Sequence, residues 1–162
     1  MNIRVWFLSD THALHGYLAI PENIDIVIHA GDASNFREPV PNYQEMLNFI
    51  EWYKNLKIEH KVYIPGNHDT SVEKRLITPA DMKSMGIMCL ETSSTSIKGL
   101  NIYGSPYTPT FGFGWAYNKN RDKMHKQWQS IPENSDIVVT HGPPFGILDV
   151  SEDREGNLEH CG

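Results

Sequence analysis

Four short clusters of carboxylate, imidazole and amide side chains lie along this chain and share one design. The clusters are Asp10-Thr11-His12, Gly31-Asp32, Gly66-Asn67-His68-Asp69 and Thr140-His141-Gly142. Oxygen and imidazole donors of this kind bind divalent ions such as Mn²⁺, Fe or Zn²⁺, and suit Mg²⁺ less well. The residue types therefore predict metal chemistry, provided that the fold brings the clusters together.

Each cluster follows an apolar run that predicts a buried strand. The runs are residues 3–8, 24–30, 61–64 and 136–140. Open α/β sheets bind ligands at the carboxyl ends of their strands. Because adjacent parallel strands lie about 4.8 Å apart, side chains at neighbouring strand ends can converge on ions a few ångströms apart.

These positions predict a dinuclear metal site. In two-metal sites the ions lie about 3.5–4 Å apart and clamp the attacking and leaving oxygens of an in-line phosphoryl displacement. Asp32 is the natural bridging carboxylate. The predicted ligands are Asp10, His12, Asp32, Asn67 and His141.

The segments between the clusters predict an α/β fold. Apolar residues recur at three- and four-residue spacing after Asn42, which predicts an amphipathic helix with Asn42 as its N-cap. Strand, helix and strand in that order build a parallel sheet from βαβ units. Further helices are predicted over residues 70–85, ended by Gly86, and over residues 119–129.

The middle of the chain predicts shorter elements. Residues 87–90, 94–97 and 100–104 predict strands of a meander, with Lys98-Gly99 as a hairpin turn. Residues 105–118 are irregular and rich in aromatic residues and glycines. These rings either line a concave pocket that stacks a flat ligand or hold a long loop on the surface.

Length and composition predict a single folded domain. The 162 residues and the hydrophobic fraction of 40% suit one globular core. A net charge of −6 with scattered Lys and Arg leaves no electrostatic footprint for extended nucleic acid. Two cysteines are too few for a disulfide framework, which favours a reducing cytoplasm. No apolar run approaches the about 20 residues of a membrane span, so we expect no membrane partner.

Three residues near the clusters need separate consideration. His29 lies inside the second strand pattern, and we expect a core histidine or one that supports a ligand. Asn35 and Arg37 follow Asp32 in a Pro-rich loop. They either reach a substrate or are simply exposed to solvent.

The order and spacing of the four clusters resemble the calcineurin-like metallophosphoesterase family, whose pattern is D-x-H, G-D, G-N-H-D/E, a later H and a final G-H-x-H. Within the family, three stretches resemble a small branch related to MPPED-type phosphodiesterases (UPF0046-like): Gly104-Ser105-Pro106-Tyr107, Trp115-Ala116-Tyr117-Asn118 and Thr140-His141-Gly142-Pro143-Pro144. The resemblance covers the whole length. It implies that residues 1–162 form a single phosphoesterase domain, an α/β fold whose two-sheet β-sandwich is flanked by helices.

The resemblance also implies a ligand assignment. Asp10 and His12 would bind the first ion, Asn67 and His141 the second, and Asp32 would bridge both. Two divalent ions are expected, Mn²⁺ before Fe or Zn²⁺.

The implied activity is that of a metal-dependent phosphoesterase, in particular a phosphodiesterase. A bridging hydroxide would attack a nucleotide-like or other small phosphate ester. His68 would act over the leaving group as general acid or stabilise the phosphoryl charge, and Asp69 would orient His68.

The chain departs from the family pattern in one block, because it contains no G-H-x-H. Three accounts remain open: the domain is C-terminally incomplete and lacks its last strands, a partner supplies the missing donors, or His160 replaces one of them. An incomplete edge would uncover apolar surface and favour self-association. It would also favour an alternative function, a nucleotide- or phosphate-binding regulatory module with a crippled metal site and little turnover.

Overall fold

The computed structural model describes residues 2–111, 113–152 and 155–162, so Gly112 of the aromatic stretch lies outside the described residues. The helices are α1 (Pro39–Asn55), α2 (Thr70–Glu73), α3 (Pro79–Ser84) and α4 (Arg121–Trp128). The strands are β1 (Val5–Leu8), β2 (Ile26–His29), β3 (His60–Tyr63), β4 (Ile87–Cys89), β5 (Ser93–Ile97), β6 (Leu100–Ser105), β7 (Thr108–Pro109), β8 (Asn118–Lys119), β9 (Ile137–Thr140), β10 (Val150–Glu152) and β11 (Leu158–His160). The four strands predicted to precede the clusters are therefore confirmed as β1, β2, β3 and β9.

The first sheet is parallel and has the order β1-β2-β3-β4. Its strands run in one direction, so their carboxyl ends lie at one edge of the sheet. The loops that follow β1, β2 and β3 carry Asp10, Asp32 and Asn67 to this edge.

The second sheet contains β5, β6 and β9 in that order. β5 and β6 form the predicted hairpin, because Lys98 and Gly99 have φ angles of 52° and 85°, as a type I′ turn requires. The predicted meander is wrong for β4, which pairs in parallel with β3. α3 lies between β3 and β4 in the chain and makes this crossover, which a meander does not contain.

The core has two layers around the first sheet. On one face, Val27 and Tyr63 pack against α1 through Phe49 and Tyr53, all fully buried. On the other face, residues of the first sheet pack against the second sheet, with a cluster of Ile26, Ile28, Val62, Ile64, Leu90, Ile102 and Val139. Met124 of α4 is also buried. The expected α/β sandwich flanked by helices is confirmed.

Two helix boundaries differ from the prediction. α1 begins at Pro39, so Asn42 is not its N-cap but lies one turn inside the helix and is fully buried. The helix predicted over residues 70–85 is split into α2 and α3. α2 ends at Glu73, and Arg75 shortly after it has a φ of 61°, which interrupts a helix. Pro79 then starts α3 behind a capping box of Thr78 and Asp81.

The C-terminal stretch forms a hairpin of β10 and β11 that the sequence did not predict. Within the described residues, β9 is an edge strand of the second sheet. Beside it lies a cavity of about 780 Å³ lined by Met124, Trp128 and Val138, among others. No helix in the described part of the chain is long and apolar enough to cross a membrane.

Candidate metal centre

The loops after the strands bring the predicted ligands together. The backbone N–H of Asp10 donates to the carbonyl of Gly31 at 2.9 Å, and that of His12 donates to the carbonyl of Asp32 at 3.0 Å. The loops after β1 and β2 are thereby tied side by side.

Two groups of side chains have potential ligand atoms within 4.8 Å of one another. One contains His12, Asp32 and His68, and the other contains Asp10, Asp32 and His141. Asp32 belongs to both groups, which is the position that a bridging carboxylate needs. The first group includes His68, a residue that the family resemblance assigns to the leaving group.

The distances between the potential ligand atoms are short enough for neighbouring atoms to bind the same ion. Nε2 of His12 lies 3.9 Å from a carboxylate oxygen of Asp10 and 3.9 Å from one of Asp32. Nε2 of His141 lies 3.4 Å from Oδ1 of Asp32 and 2.8 Å from Oδ1 of Asn67. Atoms bonded at about 2.0–2.2 Å to one ion are themselves about 3–4 Å apart. The donor set therefore fits divalent ions, while the assignment of each ligand to an ion stays a prediction.

Three imidazoles are oriented by backbone carbonyls. Nδ1 of His12 lies 3.1 Å from the carbonyl of Ser34, and Nδ1 of His141 lies 2.8 Å from that of Ala30. Nδ1 of His68 lies 2.7 Å from the carbonyl of Asn35. A carbonyl only accepts, so each Nδ1 carries the hydrogen. Nε2 is left to face the site, as is usual for histidines that bind metals.

The backbone of the site adopts unfavourable conformations. Asp10, His12 and Asp32 have φ angles of 52°, 42° and 56°. Left-handed conformations cost roughly 1–3 kcal/mol each in a non-glycine residue and occur mainly at functional sites. Three of the five predicted ligands lie in this region, so the surrounding structure holds them there against their own preference.

Two glycines allow the loops to approach each other. A Cβ on Gly31, whose φ is +104°, would lie 2.6 Å from Nδ1 of His141. A Cβ on Gly66 would lie 2.7 Å from Cε1 of His141 and closer still to Asp32. Both contacts are too short for a carbon atom, so the close packing of Asp32 against His141 requires glycine at both positions.

Asp32 and His141 form a buried, coupled pair with 4% and 6% of their side chains exposed. Burial acts to raise the pKa of Asp32, but the hydrogen bond and charge of His141 outweigh it and lower that pKa. Burial acts to lower the pKa of His141, but Asp32 raises it to about 9. Each member of the pair therefore favours the charged form of the other.

Asp69 lies among hydrogen-bond donors of the site loops, and its role in orienting His68 stays a prediction. Its carboxylate is fully buried and accepts hydrogen bonds from the backbone N–H groups of Gly66, Asp32 and Ser34, at 2.7, 2.9 and 3.2 Å. The Ser34 hydroxyl adds a fourth at 2.8 Å. The imidazole of His68 is held instead by the carbonyl of Asn35. Asp69 thus ties together the loops that carry Asp32 and Asn67, and the catalytic role of His68 stays a prediction.

Asn42 is a supporting residue that the sequence did not reveal. Its amide nitrogen lies 2.7 Å from the carbonyl of His68 and 2.7 Å from Oγ of Ser34, and its oxygen accepts from the N–H of Ser71 at 2.9 Å. The available signal was an asparagine on the apolar face of the helix, four residues before Met46. A buried amide there needs partners, and it finds them in the site loops.

His29 is a core histidine, as predicted. It is fully buried, its Nδ1 accepts the N–H of Gly31 at 3.2 Å, and its Nε2 lies 3.0 Å from Oγ1 of Thr11. Because Nδ1 accepts, the ring is neutral with its hydrogen on Nε2. Burial lowers the pKa of His29 to about 3.

The aromatic stretch reaches the site at a single ring. Trp115 lies 4.6 Å from His68 between ring centroids, and the N–H of Ala116 donates to the carbonyl of Asn67 at 2.9 Å. In contrast, Phe113 is 97% exposed and contributes no wall to a pocket. Trp115 therefore borders the site and Phe113 lies on the surface, while a pocket that stacks a flat ligand stays a prediction.

His160 lies in neither of the two ligand groups found among the described residues. Its Nδ1 lies 2.9 Å from the buried carboxylate of Asp149, and its ring packs 4.8 Å from that of Phe145. The account in which His160 replaces a missing ligand is not supported by this position.

Residues 3–160 match the sequence model of the Calcineurin-like phosphoesterase family. The chain belongs to this family, as its four clusters predicted. Family members typically bind divalent metal ions, and the two groups around Asp32 offer ligands for them.

Individual relatives agree with the predicted branch. Metallophosphoesterase domain-containing protein 1 of Homo sapiens is 32% identical over 165 residues, which cover 88% of this chain and 49% of the human protein. One UPF0046 protein of Caenorhabditis elegans is 30% identical over 99% of this chain and 61% of its own length. The DNA double-strand break repair protein Mre11 of Saccharolobus solfataricus is 33% identical over 57% of this chain and 25% of its own length. The chain thus spans about half the length of the human relative.

Proposed function

We propose that this chain is a metal-dependent phosphoesterase, and more specifically a phosphodiesterase that acts on a nucleotide-like or other small phosphate ester. The observation that carries the proposal is the set of three imidazoles around Asp32. Each is held at Nδ1 by a backbone carbonyl, so that its Nε2 faces the site.

The residues that would hold two ions are Asp10, His12, Asp32, Asn67 and His141. Mn²⁺, Fe and Zn²⁺ suit these nitrogen and oxygen donors. When bound, such ions supply positive charge to the phosphoryl oxygens and activate water as the nucleophile.

His68 supplies the proton chemistry in this proposal. Its Nδ1 hydrogen is committed to the carbonyl of Asn35, so a proton given to a leaving oxygen would come from Nε2 of the doubly protonated imidazolium, which becomes a neutral ring on donation. The ring packs edge-on against His12 at 4.7 Å and contacts Trp115 on another side. These contacts restrict the rotation of the His68 ring and keep it beside the carboxylate of Asp32.

The proposal is tested by Mn²⁺ titration in a calorimeter and by hydrolysis of bis-p-nitrophenyl phosphate. Asp32→Ala should abolish hydrolysis and weaken Mn²⁺ binding strongly, because Asp32 belongs to both ligand groups. Asp122→Ala, an exposed residue of α4, is the matched control and should change neither. Unchanged hydrolysis in Asp32→Ala would show that the proposal is wrong. Tight nucleotide binding without turnover would favour the alternative, a phosphate-binding regulatory module.

A further inference from the structure

Arg37 carries a positive charge beside the candidate site that none of the roles above uses. It is exposed at the end of the loop between β2 and α1. Its guanidinium carbon lies 3.9 Å from the centroid of the Trp115 ring. None of the ion pairs found among the described residues includes Arg37.

The guanidinium lies on three consecutive residues, Phe113, Gly114 and Trp115, which together are called the seat. The carbonyl of Phe113 accepts a hydrogen bond from Nη2, and the ring of Trp115 lies under the guanidinium plane. Between them, Gly114 has a φ of +78°, and a Cβ there would lie 3.0 Å from Nη2. The positive φ favours glycine at this position, and the missing side chain leaves room for the guanidinium.

The seat leaves most of the arginine free to bind. A guanidinium has five N–H donors, and the carbonyl of Phe113 takes one of them. Stacking on an aromatic ring fixes the plane in advance, so little side-chain entropy is lost when a further partner binds. The parallel N–H groups of a guanidinium form a fork that matches two oxygens of a phosphate or carboxylate.

The seat is joined to the candidate metal centre on both sides. Asn35, two residues before Arg37, accepts the hydrogen bond from His68, and Ala116, next to Trp115, donates to the carbonyl of Asn67. Ring contacts run from His12 to His68 and on to Trp115. The guanidinium therefore follows Trp115 in a continuous row of contacts that begins at His12 and His68.

We propose that Arg37, seated on Trp115, binds a second anionic group of the substrate, separate from the phosphoryl group that reacts. The favoured substrates are then phosphate esters that carry a further phosphate or carboxylate. This inference rests on the proposed function, because it places the reacting group at Asp32 and His68. The neighbouring ligand set contains the carboxylates of Asp10 and Asp32, so a cation without an ion-pair partner among the described residues is the feature that attracts additional negative charge.

The test compares two ligands that differ by one phosphate, thymidine 5′-phosphate and thymidine 3′,5′-bisphosphate. Calorimetry on the Mn²⁺-loaded chain should show tighter binding of the bisphosphate, by about tenfold or more, as expected of a charge-assisted pair. In Arg37→Gln this preference should disappear while the affinity for the monophosphate stays the same. Arg37→Lys, which keeps the charge but not the fork, should retain part of the preference.

The control is Lys119→Gln, because Lys119 also lies over an aromatic ring of this loop, 3.5 Å from the centroid of Tyr107. It should leave the preference intact. If Arg37→Gln weakens both ligands equally, or if the wild-type chain does not prefer the bisphosphate, Arg37 only holds the loop and the inference is wrong. If Arg37→Gln fails to fold, Arg37→Lys decides the question, because a full preference in that variant would show that the guanidinium does not bind the second group.

The same measurements keep the two proposals apart. Hydrolysis of bis-p-nitrophenyl phosphate without a bisphosphate preference would overturn the assignment of Arg37 and leave the proposed function standing. An Arg37-dependent preference without any hydrolysis would overturn the proposed function and leave Arg37 assigned to the binding of a second anionic group.

Discussion

Replacing Asp69 by asparagine should destabilise the fold and weaken metal binding together. One carboxylate oxygen accepts from the N–H groups of Asp32 and Gly66, and the other accepts from the N–H and hydroxyl of Ser34. An asparagine keeps one acceptor oxygen and turns an NH₂ group toward the donors that faced the other. Two hydrogen bonds to a buried charge are therefore lost or reversed in either orientation of the amide.

The expected size follows from these contacts. Hydrogen bonds to a charged group contribute about 1.5–3 kcal/mol each, so the gross loss is about 3–6 kcal/mol. Burial, and then the charge of Asp32, raise the pKa of Asp69, so removing the charge relieves part of this. We expect a net loss of about 2–4 kcal/mol, a large share of the about 5–15 kcal/mol that holds a typical domain.

Urea unfolding at pH 7 measures the stability, and Mn²⁺ calorimetry on the same samples measures the site. Asp122→Asn, on the exposed side of α4, is the matched control and should stay within about 0.5 kcal/mol of the wild type. A change below about 1 kcal/mol in Asp69→Asn would refute the structural role, since a single lost bond already exceeds it. If only hydrolysis fell, while stability and Mn²⁺ affinity stayed the same, Asp69 would act through His68 as the sequence first suggested.

Three further outcomes are expected. The pKa of His29 is about 3 in the folded chain and near 6.5 in the unfolded chain, so its contribution to stability is complete above pH 6.5 and is lost as the pH falls toward 3, by about 2 kcal/mol at pH 5. In urea unfolding, stability should therefore fall less steeply with decreasing pH in His29→Gln than in the wild type. An equal pH dependence in the two proteins would contradict the neutral ring. Gly66→Ala should lower Mn²⁺ affinity at least about tenfold by pushing Asp32 from His141, whereas Gly16→Ala, with nothing within 4 Å of the added carbon, should be neutral. The edge strand β9, with Val138 46% exposed, should drive self-association in sedimentation that Val138→Lys removes, and a monomer at all concentrations would argue against this.

The strand ends were predictable because their signals are local. Apolar runs that stop at Gly31-Asp32 or Pro65-Gly66 specify a strand and a turn within a few residues. The supporting contacts were not predictable, because they join distant parts of the chain. Asn42 reaches His68 across 26 residues, and Asp69 reaches Asp32 across 37. A residue such as Asn42 shows its partners only once α1 is packed against the first sheet.

A crossover explains the wrong prediction for β4. The same short strands can form a meander or a parallel pair joined by a crossover. Which of the two forms depends on whether the segment between the strands contains a helix. The predicted helix is interrupted after Glu73, but α3 remains and carries the chain over the sheet, so β4 pairs with β3. Composition alone gives no information on this pairing.

The two sheets do not contribute equally to the candidate site. Asp10, His12, Asp32 and Asn67 follow strands of the first sheet, whose order and helices fix them among many neighbours. His141 alone follows β9, an edge strand of the second sheet among the described residues. Its position therefore depends on the contacts that it makes across to the first sheet, through the carbonyl of Ala30, the amide of Asn67 and the carboxylate of Asp32. Because glycine at positions 31 and 66 is what permits these contacts, the two glycines are as necessary to the site as the ligands themselves.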